Sequence, residues 1–96
     1  MIRLPLVELL AGLAEESCEL GQAALKLRRA YTGENPTPMT VDQAIDRLEE
    51  EIADVELYLQ QIRYSRKHVQ EIKAVKLERW EARLEYARVK GRENTH

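Results

Sequence analysis

The sequence predicts an all-α fold, a helical hairpin followed by a third helix, on three observations. Apolar residues recur at spacings of three and four through most of the chain, the period of one helix face. Gly and Pro are few, and Gly33, Pro36 and Pro38 cluster where that period breaks. No alternating stretch of strand length occurs. Ninety-six residues suit one domain, 1–96. So short a chain buries only a modest core by itself, so assembly into an oligomer is expected.

The first helix should open near Pro5, a residue tolerated in an opening turn, and run to about Tyr31. Its apolar seam is Leu6, Leu10, Leu13, Leu20, Ala24, Leu27 and Tyr31, interrupted by Ser17. In the stretch TGENPTPM, Gly33, Pro36 and Pro38 end that helix and stiffen the loop. Thr40 then suits an N-cap, and Gln43 three residues on completes a capping box. The second helix, about 41–63, carries Val41, Ile45, Leu48, Ile52, Val55, Leu59 and Ile62 without a break. Ser65 caps a third helix of about 66–90. Its looser stripe is Val69, Ile72, Leu77, Trp80, Leu84 and Ala87, with Lys73, Lys76 and Arg83 beside it. The tail GRENTH, 91–96, is polar and expected to fray.

Composition narrows the function classes. Fifteen basic and 17 acidic residues give no global attraction to nucleic acid or to an anionic membrane. On the third helix the basic residues alternate in sequence with Glu71, Glu78, Glu81 and Glu85, which argues against a clean nucleic-acid-binding face. No apolar run approaches the ~20 residues of a membrane span. The opening residues lack a signal-peptide layout. The lone Cys18 rules out an internal disulfide and fits a reducing compartment. A cytoplasmic location is expected.

The chemistry resides in EESCEL, residues 15–20, which crowds three carboxylates beside an apolar seam. Displacing the sequence by 35 residues superposes LAGLAEESCEL on IDRLEEEIADV. Leu10 then matches Ile45, Leu13 matches Leu48, and Leu20 matches Val55. Glu15, Glu16 and Glu19 match Glu50, Glu51 and Asp54. At about 100° per residue, Glu16 and Glu51 lie about 70° from the centres of their seams, and Glu19 and Asp54 about 130°. A nine-residue loop, 32–40, returns the second helix antiparallel to the first. With ~1.5 Å of rise per residue, all four acids then sit at a similar depth, about 15–22 Å from the loop end. Four carboxylates drawn together repel one another. Mg²⁺ or Mn²⁺, hard cations with oxygen ligands, would relieve that repulsion. From the residues alone, a solvated acidic face and a metal site both stay open.

EESCEL followed by ALKLRR, an NPTP-containing loop and LEEEIADVEL resembles the MazG-like all-α nucleoside triphosphate pyrophosphohydrolases, over about residues 4–64. Their signature is a Glu-x-x-Glu, a loop and a Glu-x-x-Asp, matched here by Glu16 with Glu19 and Glu51 with Asp54. The resemblance implies cleavage of an NTP or dNTP between its α- and β-phosphates. Mg²⁺ held by the four acids would bind the triphosphate and position a water for attack. It also implies a homodimer or homotetramer in which helices of different chains form a four-helix-bundle-type core.

Around this set, Glu15 and Glu50 face away from the metal stripe and are candidates to support the ligands or to meet a partner. Lys26, Lys73, Lys76 and Arg83 are the candidates for phosphate binding, although basic chains beside a seam commonly lie over apolar neighbours. Trp80 and Tyr58 suit base stacking or, by preference, a core or interface. Cys18 reads as a packing residue and His68 as a surface group at a helix start. The alternative is a noncatalytic helical module for oligomerisation or partner binding, supported by the heptad-like second helix.

Overall fold

The computed structural model of the chain describes residues 4–33 and 39–93. They form three helices, α1 (Leu6–Thr32), α2 (Val41–Gln61) and α3 (Arg66–Glu93), with no strand among the described residues. The loop residues Pro36 and Pro38 lie outside the described residues, as do the last three of the polar tail. The tail's first three, 91–93, continue α3. None of the described helices is long and apolar enough to cross a membrane. The chain divides into two compact units, Met1–Arg63 and Tyr64–His96.

In the first unit, local chemistry sets each helix end. The carbonyl of Pro5 accepts from the N–H groups of Glu8 and Leu9, both at 3.0 Å. Gly33 closes α1 with φ 67°, donating its N–H to the Arg29 carbonyl at 2.8 Å. That left-handed backbone favours glycine. Thr40 and Gln43 form the expected capping box: the Gln43 N–H donates to Thr40 Oγ1 at 3.1 Å, and the Thr40 N–H to Gln43 Oε1 at 3.0 Å.

The two helices pack as a hairpin. Gly12 meets Tyr58 and Glu16 meets Glu51, so the helices run antiparallel. The face that α1 withdraws from solvent contains Leu9, Leu13, Glu16, Leu20, Ala23, Leu27 and Ala30. On α2 it contains Val41, Ala44, Leu48, Glu51, Val55, Tyr58 and Ile62. The 35-residue repeat holds in this frame too, aligning Leu9 with Ala44, Glu16 with Glu51 and Ala23 with Tyr58.

This seam corrects the expected one. It is rotated by roughly 50° on α1, leaving Leu6, Leu10 and Tyr31 exposed, and Ile52 likewise on α2. Counting large apolar residues points to the wrong centre because close helix packing rewards small ones. Gly12, Ala23, Ala30 and Ala44 fall at the contact, where they let the backbones approach. The buried apolar side chains are just Leu9, Ala23 and Ala44 among those described.

The second unit is α3 with its cap. Ser65 Oγ accepts from the His68 N–H at 3.1 Å, and the Ser65 carbonyl from the Val69 N–H at 3.0 Å. The Arg66 guanidinium lies 4.8 Å from the Tyr64 ring centre, within cation–π range. Glu85 and Arg88 pair one turn apart. Every residue from Arg66 to Arg92 is exposed.

Gly12 supplies a direct test of the hairpin. A Cβ there would overlap the Tyr58 ring, lying 2.6 Å from its hydroxyl oxygen and nearer still to ring carbons. Alanine favours a helix over glycine by about 1 kcal/mol, yet overpacking costs about 1–3 kcal/mol. Gly12→Ala is therefore expected to lower the thermal midpoint. Shortening Tyr58 to Leu in the same chain should recover most of the loss. Additive effects of the two substitutions in a double-mutant cycle would show that the ring does not sit on Gly12.

Candidate metal centre

The rotation of the seam changes the setting of the acids. Glu16 and Glu51 are themselves seam residues of the α1–α2 hairpin, flanked along each helix by apolar side chains one turn away. Leu13 and Leu20 bracket Glu16, and Leu48 and Val55 bracket Glu51. Asp54 follows Glu51 by three residues and brings its carboxylate to the same place. Glu16, Glu51 and Asp54 each offer a carboxylate oxygen within 4.8 Å of the others. That spacing suits oxygens sharing one divalent cation.

Burial is graded across the three. Glu51 is only 3% exposed, Glu16 is half-buried, and Asp54 lies toward solvent. Glu51 has one cationic neighbour, Arg47, one turn earlier on α2: Arg47 Nη2 lies 3.0 Å from Glu51 Oε1. The second oxygen, Oε2, is buried and has no hydrogen-bond partner among the described residues. Such an oxygen is costly unless something binds it.

Glu16 responds to this setting. Its partial desolvation comes first, then the charges of Asp54, Glu51 and Glu19, and together they raise its pKa above the ordinary 4.5. The Glu51 side chain adds a smaller push in the same direction.

The remaining predicted residues divide clearly. Glu19 is exposed and outside the three-acid group, though near enough for its charge to act on Glu16. Glu15 and Glu50 are exposed, and Glu50 Oε2 lies 3.4 Å from Arg47 Nη1. Lys26 is half-buried on α1. Cys18 is exposed, so it is no packing residue. Tyr58 packs over Gly12, one turn from Asp54 on the side away from the loop. On α3, Lys73, Lys76 and Arg83 share an open face with Leu77 and Trp80. Trp80 is 58% exposed and belongs to no core. His68 is a surface group, 3.8 Å from Glu71.

Two features were missed by sequence reasoning. Arg47 is legible only from its four-residue spacing to Glu51. Between Glu71 and Glu85, charge on α3 also segregates by face although it alternates in sequence, while Lys67, Arg88 and Arg92 fall on or beside the acidic side. At about 100° per residue, Glu71, Glu78, Glu81 and Glu85 fall in a sector of about 80°, and Lys73, Lys76, Arg79 and Arg83 oppose them within about 120°. The units differ in charge as well: Met1–Arg63 has 12 acidic and 6 basic residues, Tyr64–His96 has 5 and 9.

The donor set is all oxygen and carries three negative charges, so it fits Mg²⁺ or Mn²⁺ rather than a soft metal. The unpartnered Glu51 Oε2 is the observation that supports the fit. Comparison with family models, with curated proteins and with solved structures gave no match.

Glu16 defines a pH test. The folded chain holds this proton more tightly than the unfolded chain, so the group's contribution to stability is full below about pH 4.5. It is lost as pH rises through the higher folded value. Glu16→Gln keeps the shape and removes the charge. In metal-free buffer at pH 7 it should raise the melting temperature and flatten its decline above pH 4.5. A variant no more stable than the wild type would show that the acids do not strain the hairpin.

Proposed function

We propose that the chain is a Mg²⁺- or Mn²⁺-dependent nucleoside triphosphate pyrophosphohydrolase of the MazG-like type, acting in the cytoplasm on an NTP or dNTP to give the monophosphate and pyrophosphate. The observation that carries this reading is the buried Glu51 Oε2, unpartnered beside Glu16 and Asp54 in the middle of a helical seam. A structural role alone would place an apolar side chain there. The bound cation would neutralise phosphate oxygens and orient the attacking water. The protein's share is to hold Glu16, Glu51 and Asp54 in a fixed, partly dry arrangement, with Glu19 at its open edge as the fourth acid of the motif. Lys26 on α1 is a candidate for phosphate contact, and Lys73, Lys76 and Arg83 are candidates on the open face of α3 that also carries the exposed Trp80.

Self-association as a homodimer or homotetramer belongs to the same proposal. Leu77, Trp80 and Leu84 stand exposed on α3, and Leu6, Leu10 and Tyr31 on α1. The opposite charge of the two units favours pairing between copies, which salt would weaken. These exposed apolar residues also support a second reading, a noncatalytic module that oligomerises or binds a partner helix.

Pyrophosphate release from a panel of unmodified and damaged NTPs and dNTPs separates the two. The enzyme reading expects turnover of at least one of them with Mg²⁺ or Mn²⁺. Both Glu16→Gln and Asp54→Asn should reduce it to background with helicity intact. It also expects Mn²⁺ to raise the melting temperature, since the ion binds only the folded chain. Absence of turnover together with an unchanged melting temperature would leave the noncatalytic module.

A further inference from the structure

The three acids do not account for how Glu51 keeps one oxygen free. A carboxylate this deeply buried needs a partner, and a partner that engaged both oxygens would close the site. Arg47 engages one. Its Nη2 lies 3.0 Å from Oε1 of Glu51, while its Nη1 is held 3.4 Å from Glu50 Oε2 at the surface. The guanidinium fork is planar and fixed. Held toward Glu51 at one end and Glu50 at the other, it limits rotation of the Glu51 carboxylate and leaves Oε2 without a partner among the described residues. The equivalent position in α1, 35 residues earlier, is Gly12, so only one half of the repeat carries this device.

We propose that Arg47 is the positioning residue of the cluster: it binds Glu51 Oε1 so that Oε2 stays presented to a divalent cation shared with Glu16 and Asp54. The inference rests on the metal-centre reading above and adds to it a residue outside the acidic motif. Its role differs from charge balance, and the two have opposite signs. A cation near a metal site weakens metal binding by repulsion, so removing it should tighten the site. A residue that orients a ligand strengthens binding, and losing such an outer partner costs about 10–100-fold in affinity.

Mn²⁺ titration followed by electron paramagnetic resonance decides between them, using the full chain as wild type, Arg47→Gln and Arg47→Lys. Circular dichroism confirms that each stays helical. Positioning expects roughly 10-fold or greater weakening in Arg47→Gln. It also expects clear weakening in Arg47→Lys, which keeps the charge and loses the fork. Since Arg47→Lys is the milder change, it keeps the test available if Arg47→Gln fails to fold. Unchanged affinity in Arg47→Lys, or tighter binding in Arg47→Gln, would overturn the assignment while leaving the metal centre standing. No Mn²⁺ binding by the wild type would overturn the metal centre and this inference with it.

Discussion

Glu16 and Glu51 confront each other across the α1–α2 seam, where a two-helix hairpin has its least access to water. Every other feature of the first unit is arranged around that repulsion. Small residues on either side, Gly12, Ala23 and Ala44, let the helices approach closely enough for the two carboxylates to meet. Arg47 offsets part of the charge from the α2 side. The remaining repulsion shows in the raised pKa of Glu16. A hairpin with so few buried apolar residues has little stability to spare, so an acid pair in its seam carries a substantial cost in stability.

The fold was largely readable from the sequence because its signals are local. Thr40 with Gln43, Ser65 and Gly33 each mark a helix end by chemistry that acts within a few residues. Of the four acids the sequence singles out, the structure draws Glu16, Glu51 and Asp54 together and leaves Glu19 outside, and the setting of the three was not readable. The 35-residue repeat matches Glu16 to Glu51 whatever the rotation of the helices. Their position within the seam depends instead on how the two helices meet, a tertiary choice decided by small residues. Leu6 and Leu10 look like core by hydrophobicity yet stand exposed. Arg47 was overlooked for a related reason: its importance comes from the burial of Glu51, and burial is not visible in a charge pattern.

The second unit makes the opposite use of its residues. α3 has strong end chemistry, an ion pair between Glu85 and Arg88, and no buried residue from Arg66 to Arg92. Helix propensity and surface pairs seldom hold a helix in water without packing. Leu77, Trp80 and Leu84 are the exposed apolar residues that such packing would cover.

The contrast between Gly12 and Arg47 has one more consequence. Two helices built on a common repeat and packed antiparallel would, with equal residues, approximate a twofold axis through the acidic pair. Gly12 takes a tyrosine ring against its bare backbone, and the matching position on α2 holds a guanidinium. The hairpin thereby acquires polarity. The space between Glu16 and Glu51 thus has an aromatic ring toward one end and a carboxylate-bound guanidinium toward the other, so its two ends are chemically unlike.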